Sequence, residues 1–146
     1  MNKKFFSLAA FALITLGAQA KVKLPHILGD NMVIQQNSEA NLWGWDKPGT
    51  VVKVTTSWSS QKYSVKTGKD GKWAVKVLTP KASYTPLSIT FDDGDQTTLN
   101  NILAGEVWVC AGQSNMEMPV KGFGNCPVKG YNKAVVRANQ YKGVHY

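Results

Sequence analysis

The sequence predicts a mainly β protein: an N-terminal antiparallel β-sandwich followed by the first βα unit of an incomplete α/β domain. Three observations predict it. Short runs rich in β-branched and aromatic residues recur at regular spacing up to Leu103, separated by Gly, Asp, Asn and Pro. None of these runs carries a convincing helical period. From Ala104 the pattern changes: "VWVC" is continuously apolar, a Gly-rich loop follows, and Ala134, Val135, Ala138 and Tyr141 repeat at helical spacing.

The chain has 146 residues, enough for one ordinary domain. Its start reads as a secretory signal peptide. "MNKK" is basic, Phe5 to Leu16 is apolar and uncharged, and Ala18-Gln19-Ala20 is a small-x-small cleavage signal. Export to the periplasm or the extracellular space is therefore expected. The apolar run is shorter than the roughly 20 residues that span a bilayer. A lipid anchor needs a Cys where Lys21 stands, so no membrane anchor is expected. The expected division is residues 1–20 signal peptide, 21–103 β-sandwich and 104–146 the truncated start of a second, α/β domain.

The strands follow in order. "MVIQQ" comes after the turn "GDN", and "ANLWGW" ends at "DKPG". "TVVKVTT" is β-branched. In "KYSVKTGKDGKWAVKV", Tyr63 and Val65 alternate with polar residues, as do Trp73, Val75 and Val77. Asp70-Gly71 between them predicts a hairpin turn, because Gly accepts positive φ. "LSITF" and "QTTLNNIL" flank the turn "DDGD". One apolar and one polar face per strand suit sheets that are wet on one side.

Several features invite functional labels. "GKDGKW" has the wrong glycine spacing for a phosphate loop and reads as a hairpin tip. Asp92, Asp93 and Asp95 do not match a calcium loop and read as a polar turn. Trp43, Trp45, Trp58 and Trp73 form either a sugar-stacking platform or core, and core is the commoner use. Net charge is +8, with all nine acidic residues before residue 120. Lys121, Lys129, Lys133, Arg137 and Lys142 follow without an acid, but no basic run or interleaved aromatics argue for nucleic acid. Cys110 and Cys126 lack metal-ligand spacing and are expected as free thiols.

Ser114 lies in "GEVWVCAGQSNMEMP". Ser114-Asn115-Met116-Glu117 has the form of a helix capping box. Yet Pro119 blocks that helix almost at once. A Ser in a Gly-flanked turn after an apolar strand also suits a nucleophile, since open α/β sheets place their sites at strand ends.

The block "GEVWVCAGQSNMEMP" resembles the first block of the sialate O-acetylesterase family of SGNH-type carbohydrate esterases. "LPHILGDNMVIQQ" and "WGWDKPGTVVKV" resemble the β-domain that precedes the catalytic domain there, so the resemblance covers essentially all of residues 21–146. It implies that Ser114 is the nucleophile and that its N–H is an oxyanion donor, with Gln113 a supporting polar group. The implied substrate is an acetylated glycan, and no metal or organic cofactor is implied. The family's late Asp-x-x-His is missing. His145 has Lys142 three residues before it, and His26 lies near the other end. The chain is therefore expected to be an N-terminal part of a longer esterase, inactive alone and lacking its C-terminal catalytic portion. A carbohydrate-binding or structural β-sandwich module is the alternative.

Overall fold

The computed structural model describes residues 21–141, 143 and 144. Residues 1–20, where a signal peptide is expected, and Lys142, His145 and Tyr146 lie outside the described residues. Seven strands make the β-domain: β1 (Val33–Gln35), β2 (Glu39–Trp45), β3 (Val51–Thr56), β4 (Ser59–Lys66), β5 (Lys72–Leu78), β6 (Ser83–Asp92) and β7 (Gln96–Gly105). The chain is mainly β, as the strand spacing predicts.

Five strands form one sheet in the order β1-β7-β6-β3-β4, and β2 pairs with β5 in a second. The alternating apolar residues of both sheets close one core. Val52 and Val54 on β3, Ile89 and Phe91 on β6 and Ile102 on β7 face Leu42 on β2 and Trp73 and Val77 on β5. The Trp73 and Phe91 rings meet across the two sheets with centroids 5.6 Å apart. Trp58 donates its indole N–H to the Leu78 carbonyl at 2.9 Å, and the Tyr63 hydroxyl accepts from Leu78 N–H at 3.1 Å. Two aromatic side chains thus tie the β3–β4 hairpin to the end of β5.

Three local expectations change. The turn at Asp70-Gly71 forms, with Gly71 at φ +76°, but β4 and β5 do not pair. β4 pairs with β3 through Val54↔Tyr63 and Val52↔Val65, while β5 pairs with β2. The turn therefore carries the chain between sheets, because alternation fixes which face of a strand is apolar but not its neighbour. β1 runs parallel to β7 through Val33↔Leu103 and Ile34↔Ala104, so the larger sheet is mixed rather than wholly antiparallel. The third change concerns "VWVC". It forms no strand: Val107, Trp108 and Val109 are exposed, and residues 106–110 pair with no neighbouring strand among the described residues. A strand needs partners for its amides and carbonyls and cover for its apolar side chains.

The loop before β1 is stitched to β7. Asp30 accepts from Asn100 N–H at 2.7 Å, and Asn101 donates to the Asn31 side chain at 2.7 Å. Asn31 and Asn101 both take positive φ, which Asn tolerates better than most residues. The "DDGD" turn is polar, as expected: Asp92 accepts from Gly94 N–H and Asp93 from Asp95 N–H, each at 2.9 Å. Asp93 also lies beside Asp46, whose carboxyl is pushed up mainly by burial.

Gly44 is required where β2 meets both neighbours. A Cβ there would collide with the Lys23 carbonyl and lie 2.8 Å from the Trp73 ring. Gly44→Ala is expected to cost about 1–3 kcal/mol, the usual range for overpacking. Urea unfolding followed by fluorescence measures it, and an unchanged midpoint would contradict this packing.

Candidate active site

Past β7 the chain forms a single helical turn, α1 (Ser114–Glu117), a small hairpin of β8 (Gly122–Phe123) and β9 (Cys126–Pro127), and a two-turn helix α2 (Tyr131–Ala138). The helical stripe around Ala134 thus gives a helix, as its spacing predicts. None of its residues is buried. Val135 and Val136 are exposed, so its apolar residues are uncovered among the described residues. Cys110 and Cys126 are free and exposed.

Ser114 is the first residue of α1, and Gln113 is its N-cap. The capping-box reading of Ser114 is therefore not realised: Ser114 lies inside the turn instead of capping it. No hydrogen bond engages the Ser114 side chain among the described residues, and the residue is exposed. Backbone bonds hold the turn, from Met116 N–H to the Gln113 carbonyl at 2.9 Å and from Met118 N–H to the Ser114 carbonyl at 3.1 Å. Met118 is already extended at ψ 120°, because the residue before a proline is pushed out of the helical region. Pro119 thus limits the helix to one turn and leaves Ser114 on a short, exposed projection.

The path to Ser114 is anchored at the sandwich edge. Because β1 and β7 are parallel, both leave the sheet at the same end. There the Gln35 amide donates to the Glu106 carboxylate at 2.9 Å and the Gln36 amide at 2.7 Å. Gln35 Oε1 accepts from Val107 N–H at 2.9 Å. Gln36 Oε1 accepts from Ala82 N–H at 2.9 Å. Two glutamines thus clamp the chain as it leaves the β-domain. Sequence reasoning missed this clip. Two amides at the end of a strand carry no signal for a carboxylate some seventy residues away.

The two amide bonds hold the Glu106 carboxyl below its ordinary range. A depressed folded pKa contributes stability above the unfolded pKa, about 4.3 for Glu, and loses it as pH falls through the folded value. Amide protection around Val107 is therefore expected to drop below about pH 4. Hydrogen exchange, corrected for intrinsic rates, measures it. In Glu106→Gln the drop should vanish, and a drop of the same size in that variant would refute the clip.

The described residues hold a single histidine, His26, exposed in the turn after Pro25. No hydrogen bond joins it to Ser114. The acid closest in sequence to Ser114 is Glu117 on the same turn, and Glu106 is occupied by the glutamines. The described site therefore presents a serine and its backbone without a base. A cleft of about 520 Å³ lies elsewhere, between Tyr84, Pro86 and Asn101 on the sandwich side and Tyr141 beyond α2.

No protein-family model matches the chain. A sialate O-acetylesterase of Rattus norvegicus is 30% identical over 123 residues, covering 77% of this chain and 22% of the relative. Its Homo sapiens counterpart is 34% identical over 104 residues, covering 64% of this chain and 20% of the relative. Among solved structures, a carbohydrate acetylesterase from Xanthomonas citri superposes with a TM-score of 0.63 at 27% identity. That match covers 80% of this chain and 25% of the other. The chain thus spans about a fifth to a quarter of the proteins it matches.

Proposed function

We propose, from the chain's membership of the sialate O-acetylesterase family of carbohydrate esterases, that it supplies the nucleophile-bearing part of an exported serine O-acetylesterase. The substrates are O-acetylated sialic acids or related acetylated glycans. The observation that carries the reading is the exposed, unengaged Ser114 hydroxyl on a turn that Pro119 keeps short.

In this reading the Ser114 oxygen attacks the acetyl carbonyl carbon while a histidine takes the hydroxyl proton. The tetrahedral oxyanion accepts from the Ser114 N–H and from further donors, with Gln113 beside it. The intermediate collapses to an acetyl-serine, and the histidine returns the proton to the leaving sugar oxygen. Water, deprotonated by the same histidine, then releases acetate and restores Ser114. An aspartate orients the histidine. The SGNH-type Asp-x-x-His pair that the family resemblance implies does not occur in these 146 residues. The 146-residue chain alone is accordingly expected not to turn over acetyl esters.

The clip of Gln35, Gln36 and Glu106 gives the β-domain a role in this scheme. It fixes where the chain departs toward Ser114. Among the described residues α2 is uncovered and residues 106–110 pair with no strand, which suits elements of a larger α/β domain.

The test begins with the coding sequence past the Tyr146 codon. A continued or resumed frame containing Asp-x-x-His gives the protein to assay for acetate release from O-acetylated sialoglycans. Catalysis there that survives Ser114→Ala would overturn the assignment of the nucleophile. Acetyl-ester turnover by the 146-residue chain, abolished by Ser114→Ala, would overturn the need for the remaining part.

A further inference from the structure

The sheet formed by β2 and β5 has an inner face that is accounted for and an outer face that is not. Inward lie Leu42, Trp73 and Val77, all at most 3% exposed. Outward, at alternate positions of β2, lie Trp43 and Trp45, 36% and 38% exposed. Alternate side chains on one strand face stand about 7 Å apart. The two indoles therefore lie on one face of β2, outside the core cluster.

The neighbours of this strip are set by register. Ala74 lies opposite Trp43, so nothing bulky stands beside that ring on β5. Lys72 lies opposite Trp45 on one side. On the other, Lys23 bridges to Trp45 through two backbone bonds, from Lys23 N–H at 2.9 Å and from Trp45 N–H at 2.8 Å. Directly paired residues share a face. Trp45 thus sits in a row between two exposed lysines. Lys72 is 3.9 Å from Asp70, and both side chains are more than half exposed, so that ion pair is loose. Further along, Lys76 is paired with Glu39 at 3.1 Å and faces Asn41 across the strands.

We infer that this outer face binds a carboxylate-bearing glycan. The apolar C–H faces of sugar rings would cover the Trp43–Trp45 strip, and Lys23 and Lys72 would take the carboxylate. An aromatic surface with a few placed polar groups is the usual composition of a small-molecule site. The two lysines that flank Trp45 favour an anionic ligand over a neutral one. This is a second glycan contact, separate from Ser114, and it rests on the proposed function only for the choice of an acidic sugar.

The experiment is a titration of the full chain with sialyllactose, following the tryptophan indole N–H resonances, with lactose as the neutral control. Saturable shifts of Trp43 and Trp45 are expected, with lactose binding at least about tenfold more weakly. The double variant Trp43→Ala, Trp45→Ala should abolish binding. Should it fail to fold, Lys23→Gln with Lys72→Gln decides, since it keeps both rings and should weaken binding about tenfold. Shifts of the Trp43 and Trp45 resonances with the Ser114 backbone amide unmoved separate this site from the esterase reading. Absence of saturable shifts, equal affinity for lactose, or binding that survives the substitutions would overturn the inference. So would self-association lost in the tryptophan variant without any sugar-induced shift, which would mark the strip as a contact between copies.

Discussion

Ser114→Ala, made in a protein that carries this segment together with the Asp-x-x-His part, is expected to lower kcat for acetate release by about 10⁴-fold or more. The magnitude follows from what a serine nucleophile does. Without it no acetyl-serine forms, and the remaining acceleration comes only from oxyanion donors and substrate binding. KM should change little, because the hydroxyl contributes little to holding the sugar. Ser114→Cys is the informative companion, since it keeps a nucleophile of different reactivity and geometry. Acetate release, with kcat and KM separated, is the readout. A loss below about tenfold would show that Ser114 is not the attacking group.

Phe91→Ala is expected to cost the β-domain about 3–5 kcal/mol, a large share of the stability of an ordinary domain. Phe91 is 0% exposed, lies opposite Val54 on β3 and Thr97 on β7, and meets Trp73 of the other sheet. Its removal leaves a cavity where the two sheets meet and removes the ring contact that joins them. Urea unfolding of the full chain measures the loss. Val51→Ala is the control: Val51 is half-exposed on the outer face of β3 and should shift stability by no more than about 0.5 kcal/mol. A Phe91→Ala effect below about 1 kcal/mol would mean that the core is not organised around this ring.

Much of the β-domain was legible in the sequence. The alternation in "TVVKVTT" places Val52 and Val54 in the core and Val51 and Lys53 in water. The polar turns at Asp70-Gly71 and at Asp92–Asp95 fall where their residues demand them. The helical stripe at Ala134 gives α2. Tryptophan split between its two uses: Trp73 is core, while Trp43 and Trp45 face outward. Position within the alternation separates them once the inner face of the strand is known.

The candidate site was legible as a block and not as an environment. "GQSNMEMP" marks Ser114, and Pro119 foretells that the turn ends at once. Local sequence could not show that Ser114 would lie inside the turn instead of capping it. That outcome depends on the backbone of Gln113, at φ −107° and ψ −125°.

The sequence by itself determined which residues of β3 and β6 face the core and where the polar turns fall. Side-chain period and backbone sterics are local properties, and neighbours within a few residues settle them. It also marked Ser114 through the family resemblance. Only the tertiary structure decided that β4 and β5 belong to different sheets, that β1 runs parallel to β7, and that Gln35 and Gln36 hold Glu106. Pairing between distant strands is selected by how all the apolar faces close one core, a global condition that no short window of sequence contains. The row Lys23–Trp45–Lys72 has the same origin: three residues from three separate segments, made neighbours by register alone.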